Sequence, residues 1–338
     1  MSTLREELEL REHTYLNPKA AFSDETRGRV RLEEDRADDV RTCYQRDIDR
    51  IVHCKAFRRL MHKTQVFLRP EGDHYRTRMT HTLEVGRIAR TICKALGLNE
   101  DLAEAAAMGH DLGHTPFGHA GEIALTEVMG TAFCHNEQSL RVVDLLENDG
   151  AGLNLTYEVR MAILGHTGSR VPETLEGQVV RRADRIAYVN HDIDDAIRAG
   201  ILSEEDIPRS IIKVLGSDYR QRINTLVCDV VDASRESREI LLSPGVEQAL
   251  DDLRSFMFER VYRNPVAKSE ESKARDMLQK LYLHYMEHQE DLPENFQPQL
   301  SIEGMQRTVC DYIAGMTDKY AVDKYTELYI PMGWHVRG

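Results

Sequence analysis

The chain has no apolar run approaching the length of a membrane span, and its 338 residues include one tryptophan and six scattered cysteines. A spanning helix needs about 20 consecutive apolar residues, so a membrane protein is not expected. The N-terminal sequence MSTLREELELREH is rich in charge and lacks the apolar core of a signal peptide. The cysteines show no CxxC spacing, which disfavours a disulfide framework. Reduced thiols in a cytoplasmic protein are therefore predicted.

Basic residues are also in the minority, because the formal net charge is −13. This balance disfavours a general nucleic-acid binder. Residues 55–90 are the exception, with nine Lys or Arg against three acids. A local cationic region in an acidic protein suits a compact anionic ligand, although a solvated basic helix face would give the same pattern.

Helical periodicity dominates the chain, and strand-like alternation is scarce. In HTLEVGRIARTICKALGL, an apolar stripe of Leu83, Ile88, Ile92 and Leu96 ends at Gly97, and Asn99 is a cap signal for the next helix. The best strand candidate, KTQVFL, predicts a short hairpin with HYRTR across RPEGD. The predicted fold is all-α, with at most a small β-hairpin. We expect a charged, extended N-terminal arm (residues 1–40), a helical core (41–200) and a C-terminal helical extension packed on it (201–338).

Histidine is concentrated in one part of the chain, where six of the 14 lie at positions 74, 81, 110, 114, 119 and 135. In GHDLGHTPFGHAGE, the adjacent pair His110 and Asp111 ends a predicted helix and enters a turn rich in glycine. An imidazole and a carboxylate side by side can coordinate one divalent ion. A helix C-terminus that favours histidine through its dipole would not explain the two later histidines or the glycines.

A second constellation lies in RRADRIAYVNHDIDDAI, where Asp184, Tyr188 and Asp192 are spaced i, i+4, i+8 along one helix face. Such a stripe can simply face water. Because His110 and Asp111 need further ligands, Asp184 is the natural completion of a metal site.

The pattern His81, His110-Asp111, Asp184 resembles the HD superfamily of metal-dependent phosphohydrolases. Five blocks resemble, in order, the bacterial dGTPase-like deoxynucleoside triphosphate (dNTP) triphosphohydrolases, and the likeness runs from about Tyr15 to Trp334. The blocks are RDIDRIVHCKAFRRLMHKTQVF, HDLGHTPFGHAGE, HNEQSLRVV, RADRIAYVNHDIDD and RTVCDYIAGMTDKYA.

The resemblance implies cleavage of a dNTP between the 5′ oxygen and the α-phosphorus, giving a deoxynucleoside and inorganic triphosphate. It implies that a divalent ion of the Mg, Mn or Fe type binds His81, His110, Asp111 and Asp184. It places His119 near the scissile bond and His114 against the phosphates, and it pairs His135 with Glu122 for proton transfer. Which histidine acts as acid and which as base stays open.

The same resemblance implies the substrate contacts. Arg78 and Arg185 match phosphate-binding positions, and Gln65 matches a residue near the 3′-hydroxyl. Tyr188 and Asp192 would face the deoxyribose, where a tyrosine ring disfavours a 2′-hydroxyl. Arg59, Lys63 and Arg307 are weaker candidates for the phosphates.

The resemblance also implies a symmetric homo-oligomer, commonly a hexamer in this family, which a dNTP at a second site activates in some members. Two other readings stay open. One is another HD phosphohydrolase, acting on nucleoside monophosphates or guanosine tetraphosphate. The other is a nucleotide sensor or single-strand nucleic-acid binding module, motivated by the basic window although the net charge does not indicate it. Base preference cannot be read from the residues.

Overall fold

The computed structural model describes residues 2–33, 39–65, 76–263 and 265–331, with side chains of the helix that starts at residue 265 described from residue 270. These residues form sixteen α-helices and no β-strand, which confirms the predicted all-α class. The helices are α1 Leu4–Tyr15, α2 Cys43–Val52, α3 Lys55–Arg59, α4 Arg78–Leu96, α5 Glu100–Gly109, α6 His119–Met129, α7 His135–Arg141, α8 Tyr157–Gly165, α9 Leu175–Arg198, α10 Arg209–Leu215, α11 Tyr219–Ser234, α12 Pro244–Met257, α13 Pro265–Glu287, α14 Gln297–Glu303, α15 Met305–Ala314 and α16 Asp318–Tyr329.

Capping residues set the α4–α5 pair on which the histidine-rich region depends. Gly97 ends α4 in the left-handed conformation at φ 68°, which costs glycine no steric strain. The Asn99 side chain then accepts hydrogen bonds from Asp101 N and Leu102 N and begins α5. Both predicted boundaries are confirmed, and α5 ends at Gly109, so that His110 and Asp111 enter the following turn.

Three apolar clusters hold the helices together. The main cluster joins α4, α5 and α9 to α10, α11 and α12. A second cluster joins α6 to α13, α15 and α16, and a third joins α2 and α3 to α5 and α8. Residues 110–119, called the histidine turn below, contribute Leu112 to the third cluster and Phe117 to the second. Apolar burial therefore anchors the turn from two sides.

The N-terminal residues depart from the predicted extended arm. Residues 4–15 form a helix because Thr3 and Glu6 make a capping box at its start. Contacts farther along tie the segment to the core: Ala21 N donates to Glu176 Oε1 at 3.0 Å, and Lys19 Nζ donates to Ser237 O at 2.9 Å. The division of the chain at residues 40 and 200 stays a prediction.

The segment GMQRTVCDYIAGMTDKYA forms two helices, because the Thr317 side chain caps the second helix by accepting from Tyr320 N. One other expectation meets the structure only partly. Leu83 of the predicted apolar stripe is 47% exposed, since the buried face of α4 runs through Val85, Ala89 and Cys93.

The predicted hairpin falls mainly on residues 66–75, outside the described residues. Beside that gap, Thr64 and Thr77 form an isolated antiparallel bridge. Among the described residues, no helix has the length and apolarity that a membrane crossing requires.

Candidate active site

Four predicted metal ligands from three parts of the chain converge in the interior. Asp184 Oδ1 on α9 lies 3.1 Å from His81 Nε2 on α4 and 3.8 Å from His110 Nε2 at the end of α5. Asp111 Oδ1 lies 3.4 Å from the same His110 nitrogen. We call His81, His110, Asp111 and Asp184 the ligand cluster.

The chemistry of this donor set fits a divalent ion. His110 Nδ1 lies 2.6 Å from Ala107 O, so it carries the proton, and Nε2 presents a lone pair. That Nε2 atom is buried without a hydrogen-bond partner, which is costly unless another group binds there. Two imidazoles and two carboxylates match the preferences of Fe-type and Mn ions and also admit Mg.

The carboxylates of the cluster are held ionised. Burial would raise the pKa of Asp184, but the hydrogen bond with His81 lowers it to about 2. Burial is likewise overcome at Asp111, where His110 and Arg78 hold the pKa well below its ordinary value. Ionised oxygens are the form that binds a metal cation.

The histidine turn keeps its shape through close backbone packing. At Gly113, a β-carbon would lie 2.1 Å from Ser139 N, so only glycine allows this approach. Ser139 Oγ donates to His110 O at 2.6 Å and accepts from Gly113 N at 2.9 Å. Helix α7 thus holds the backbone that carries His110 and Asp111.

Arg78, at the start of α4, lies beside the ligand cluster. It is 3% exposed, and its guanidinium donates to Asp111 Oδ2 at 2.8 Å. A β-carbon at Gly118 would come within 3.0 Å of its Nη2 atom, so the turn passes directly over it. The predicted phosphate-binding arginine therefore lies next to the predicted metal site.

A second cluster joins the turn to α6 and α7. Glu122 uses one oxygen toward His135 Nδ1 and the other toward His119 Nδ1, each at 2.7 Å. His119 is 79% exposed while His135 is largely buried. Against the effect of burial, Glu122 raises the pKa of His135. We call His119, Glu122 and His135 the proton-transfer cluster.

His166 extends this cluster, and the sequence analysis did not find it. Its Nδ1 lies 2.7 Å from Ile163 O, which puts the proton there, and its Nε2 lies 3.1 Å from His135 Nε2. Burial lowers the pKa of His166 to about 3, so its Nε2 is an acceptor. His135 can therefore donate from both ring nitrogens. A signal existed, since Gly165-His166 repeats the helix-ending Gly109-His110.

His114 lies between the two clusters. Its ring stacks on that of His135 at 4.2 Å, and its Nε2 lies 3.9 Å from Asp111 Oδ1. Burial, with Arg78 nearby, keeps its pKa well below the ordinary value. Asp111, His114 and His135 are close enough to hold a second ion, but both nitrogens of His135 are already engaged.

His191 is another residue that the sequence analysis missed. Its Nδ1 lies 3.4 Å from His81 Nδ1, and its Nε2 lies 2.7 Å from Glu84 Oε2. Because the neighbouring Glu84 carboxylate only accepts, the His191 proton belongs on Nε2, and His81 donates from Nδ1 to His191 Nδ1. His81 Nε2, 3.1 Å from Asp184 Oδ1, is then the nitrogen that would bind a metal ion. The dipeptide His191-Asp192, a second HD pair, was the available signal.

Three residues predicted to contact phosphate have protein partners in this structure. Arg185 pairs with Glu247 and Asp251 of α12. Lys63 is 2% exposed and donates from Nζ to His114 O and Ala314 O. Arg307 contacts Gln138 and Asp311. Propensity and charge could not reveal these partners, because each comes from a distant segment.

Arg59 and Gln65, two further predicted substrate contacts, lie in different places. Arg59 donates to Gly315 O at 3.2 Å and lines a separate cleft with Lys55 and Asn295. Gln65 has a buried Oε1 atom without a partner. The structure does not bring Arg59 to the ligand cluster.

The acidic stripe of α9 does not face water. Asp192 is 4% exposed, and the Tyr262 hydroxyl contacts its Oδ2. Burial raises the pKa of Asp192 to about 7 against the hydrogen bond from Tyr262. Its Oδ1 is buried without a partner, so it can accept from a bound hydroxyl. Tyr188 is partly buried against the main apolar cluster.

Comparisons with known proteins identify the family to which the chain belongs. The HD domain family matches residues 78–189, and the phosphohydrolase-associated domain matches residues 240–327. A protein of Caldanaerobacter subterraneus subsp. tengcongensis is 54% identical over 98% of this chain and 97% of its own length, and it is named deoxyguanosinetriphosphate triphosphohydrolase-like protein. The chain belongs to this family of triphosphohydrolase-like proteins.

Other deoxyguanosinetriphosphate triphosphohydrolase-like proteins agree. One from Clostridium perfringens is 50% identical over 97% of this chain and 98% of its length, and one from Thiobacillus denitrificans is 41% identical over 92% and 96%. A solved structure of a hypothetical protein from Aquifex aeolicus has a TM-score of 0.44 at 21% identity, covering 82% of this chain and 67% of that one, a likeness too weak to carry an argument. The chain is thus an HD-type nucleotide phosphohydrolase of a metal-dependent family.

Proposed function

We propose that the protein hydrolyses deoxynucleoside triphosphates to a deoxynucleoside and inorganic triphosphate. The observation that supports this most is the pair of adjacent but chemically distinct clusters. The ligand cluster presents lone pairs around one centre, and the proton-transfer cluster presents imidazoles already bonded to Glu122. The relatives' printed names point to the same substrate class.

In the proposed reaction, water adds to the α-phosphorus, the bond from that phosphorus to the 5′ oxygen breaks, and the 5′ oxygen gains a proton. A divalent ion held by His81, His110, Asp111 and Asp184 would polarise a phosphate oxygen and lower the pKa of water. Arg78, beside Asp111 at 2.8 Å, would bind the phosphate chain by charge-assisted hydrogen bonds.

His119 is the exposed member of its cluster, and it would protonate the leaving 5′ oxygen. Glu122 orients His119 and His135 together, since each of its oxygens bonds one ring. The neutral ring of His114 would face the phosphates. Asp192 Oδ1 and Gln65 Oε1, both without partners, would accept from sugar hydroxyls, with Tyr188 disfavouring a 2′-hydroxyl. Arg185 would have to exchange its two acidic partners for phosphate.

Product analysis tests the proposal. The purified protein is incubated with the four dNTPs, singly and in pairs, and separately with Mg, Mn and Fe(II), with the ribonucleotides as matched controls. We expect a deoxynucleoside and triphosphate by chromatography and phosphorus NMR. A deoxynucleoside monophosphate with pyrophosphate, turnover of monophosphates alone, or no turnover under any condition contradicts the proposal.

The paired incubations also test a dNTP activator at a second site, which we propose together with a homo-oligomeric assembly of up to six chains. An activator raises the rate for a second dNTP. Light scattering with and without the nucleotide measures the assembly.

A further inference from the structure

Asp318, the first residue of α16, contacts two separate segments: Thr64, which precedes α4, and Phe117, near the end of the histidine turn. Its Oδ2 accepts from Thr64 N at 2.9 Å and from the Thr64 hydroxyl, and its Oδ1 accepts from Phe117 N at 3.0 Å. The side chain is 5% exposed. One carboxylate therefore joins the segment before α4 to the turn that carries His114 and His119.

Lys63, the residue before Thr64, also connects the histidine turn to the C-terminal helices. Its buried Nζ donates to His114 O in the turn and to Ala314 O at the end of α15. Its own carbonyl accepts from Arg78 N at 3.1 Å. Lys63 and Asp318 thus link the histidine turn, the start of α4 and the α15–α16 junction. We call this set of contacts the clamp.

The turn is strained where the clamp holds it. Phe117 is not a glycine, yet its φ is 61°, and Gly118 follows with φ 57° and ψ −129°. A bulky residue at positive φ is disfavoured and persists when surrounding contacts hold it. Inside the turn, the Thr115 hydroxyl bonds Gly118 O at 2.8 Å. The bond to Phe117 N itself comes from Asp318.

The residues held by the clamp closely precede two proposed active-site residues in the sequence. Phe117 lies two residues before His119, and Thr64 precedes Gln65. None of the clamp contacts involves a side chain of the ligand cluster. Losing the clamp would shift His119 and Gln65 while leaving the four ligands in place.

We infer that Asp318 is a positioning residue, through which the phosphohydrolase-associated region holds the histidine turn in its reactive conformation. The inference rests on the proposed function for its catalytic consequence. Its structural consequence, a turn that loosens without Asp318, does not depend on any substrate.

The test compares Asp318→Ala with Thr317→Ala in the full-length protein. Thr317 caps the same helix by accepting from Tyr320 N but makes no clamp contact, so its variant is a control for loss of helix stability. For Asp318→Ala we expect kcat to fall by about 10- to 100-fold, the effect of a small misplacement of reacting groups. KM should change less than kcat, because Gln65 is one of several proposed substrate contacts, whereas His119 would act at the scissile bond.

Two further readouts separate positioning from general damage. Metal content should equal that of the wild type, and amide hydrogen exchange should speed up in peptides covering residues 110–119. Thr317→Ala should leave kcat within about twofold and the turn's exchange unchanged, because a capping loss acts on helix stability. Asp318→Asn keeps an acceptor for Phe117 N, so it should lose less kcat than the alanine variant.

Unchanged exchange of the turn in Asp318→Ala overturns the inference, as does a kcat loss matched by Thr317→Ala or by lost metal. If the alanine variant does not fold, two milder variants carry the same comparison. Asp318→Asn can replace the Oδ2 acceptor of Thr64 N by an amide NH2 group, and Thr64→Val removes the hydroxyl bond while keeping the backbone bond. Wild-type exchange and kcat in both overturn the inference. If the wild type releases no triphosphate from any dNTP, the proposed function fails, and the exchange result still decides on the clamp.

Discussion

The ligand cluster and the proton-transfer cluster are both built from imidazoles and carboxylates but leave different atoms free. In the ligand cluster, the proton of His110 is committed to Ala107 O, and Nε2 is buried without a partner. In the proton-transfer cluster, both oxygens of Glu122 are already bonded to imidazoles. The first arrangement offers lone pairs, which suit a cation, and the second holds protons in place. The backbone and acid partners of each ring, not its residue type, decide which role it can take.

The largest expected effect comes from removing a lone pair from the ligand cluster. His110→Ala should lose bound metal and reduce kcat by about a thousandfold or more, because a catalytic metal contributes several kcal/mol to the transition state. Metal content by elemental analysis and dNTP turnover measure it. His288→Ala, at a half-exposed histidine, is the control, and full metal content in His110→Ala would contradict the assignment.

The proton-transfer cluster should respond differently, with metal retained. Glu122→Gln should lower kcat by about a hundredfold, the lower range for losing general acid–base catalysis. The pH dependence of activity should also shift in a direction that the structure predicts. Against burial, the carboxylate raises the pKa of His135, so the charged ring persists to higher pH. The amide removes that charge, the pKa falls, and protonated His135 is lost at lower pH.

The limb of the kcat/KM profile that moves identifies the role of His135. An alkaline limb that moves to lower pH indicates that protonated His135 is required, as for an acid, and an acidic limb that moves to lower pH indicates a base. Metal content equal to that of the wild type is the control. If neither limb moves, or if metal is lost, the separation between the two clusters is wrong.

The smallest expected effect concerns the support of the ligand cluster. His191→Leu removes the acceptor of His81 Nδ1, which lies 3.4 Å away, and should weaken metal affinity by about 10- to 100-fold, as for other partners of metal-bound histidines. His191→Asn is the matched variant, since its amide oxygen can replace Nδ1 as acceptor and should retain most of the affinity. Metal titration calorimetry on both proteins measures it. Equal affinities in the two variants would show that His191 does not orient His81.

Sequence patterns predicted the helical class and the His110-Asp111 pair because both depend on local features, whereas His81 was identified through the resemblance to the HD superfamily. Apolar periodicity and caps such as Asn99 specify helices within a few residues, and Gly109 marks the point where His110 and Asp111 leave α5. Arg185 shows the limit of this reasoning. Its position beside Asp184 suggested phosphate, but α12 supplies Glu247 and Asp251 from more than 60 residues away, and no local pattern encodes that pairing.

By itself, the sequence determined the all-α class and which residue types could bind a metal or move protons, because helix propensity and side-chain chemistry are properties of short stretches. Only the tertiary structure decided which atoms of those residues are free. His166 and His191 became visible when α8 and α9 were packed against the turn and α4. Asp318, at the start of α16, contacts Phe117 although the two residues are some 200 positions apart in the chain. Hydrogen bonds act over about 3 Å, so their partners are settled by packing and not by order along the chain.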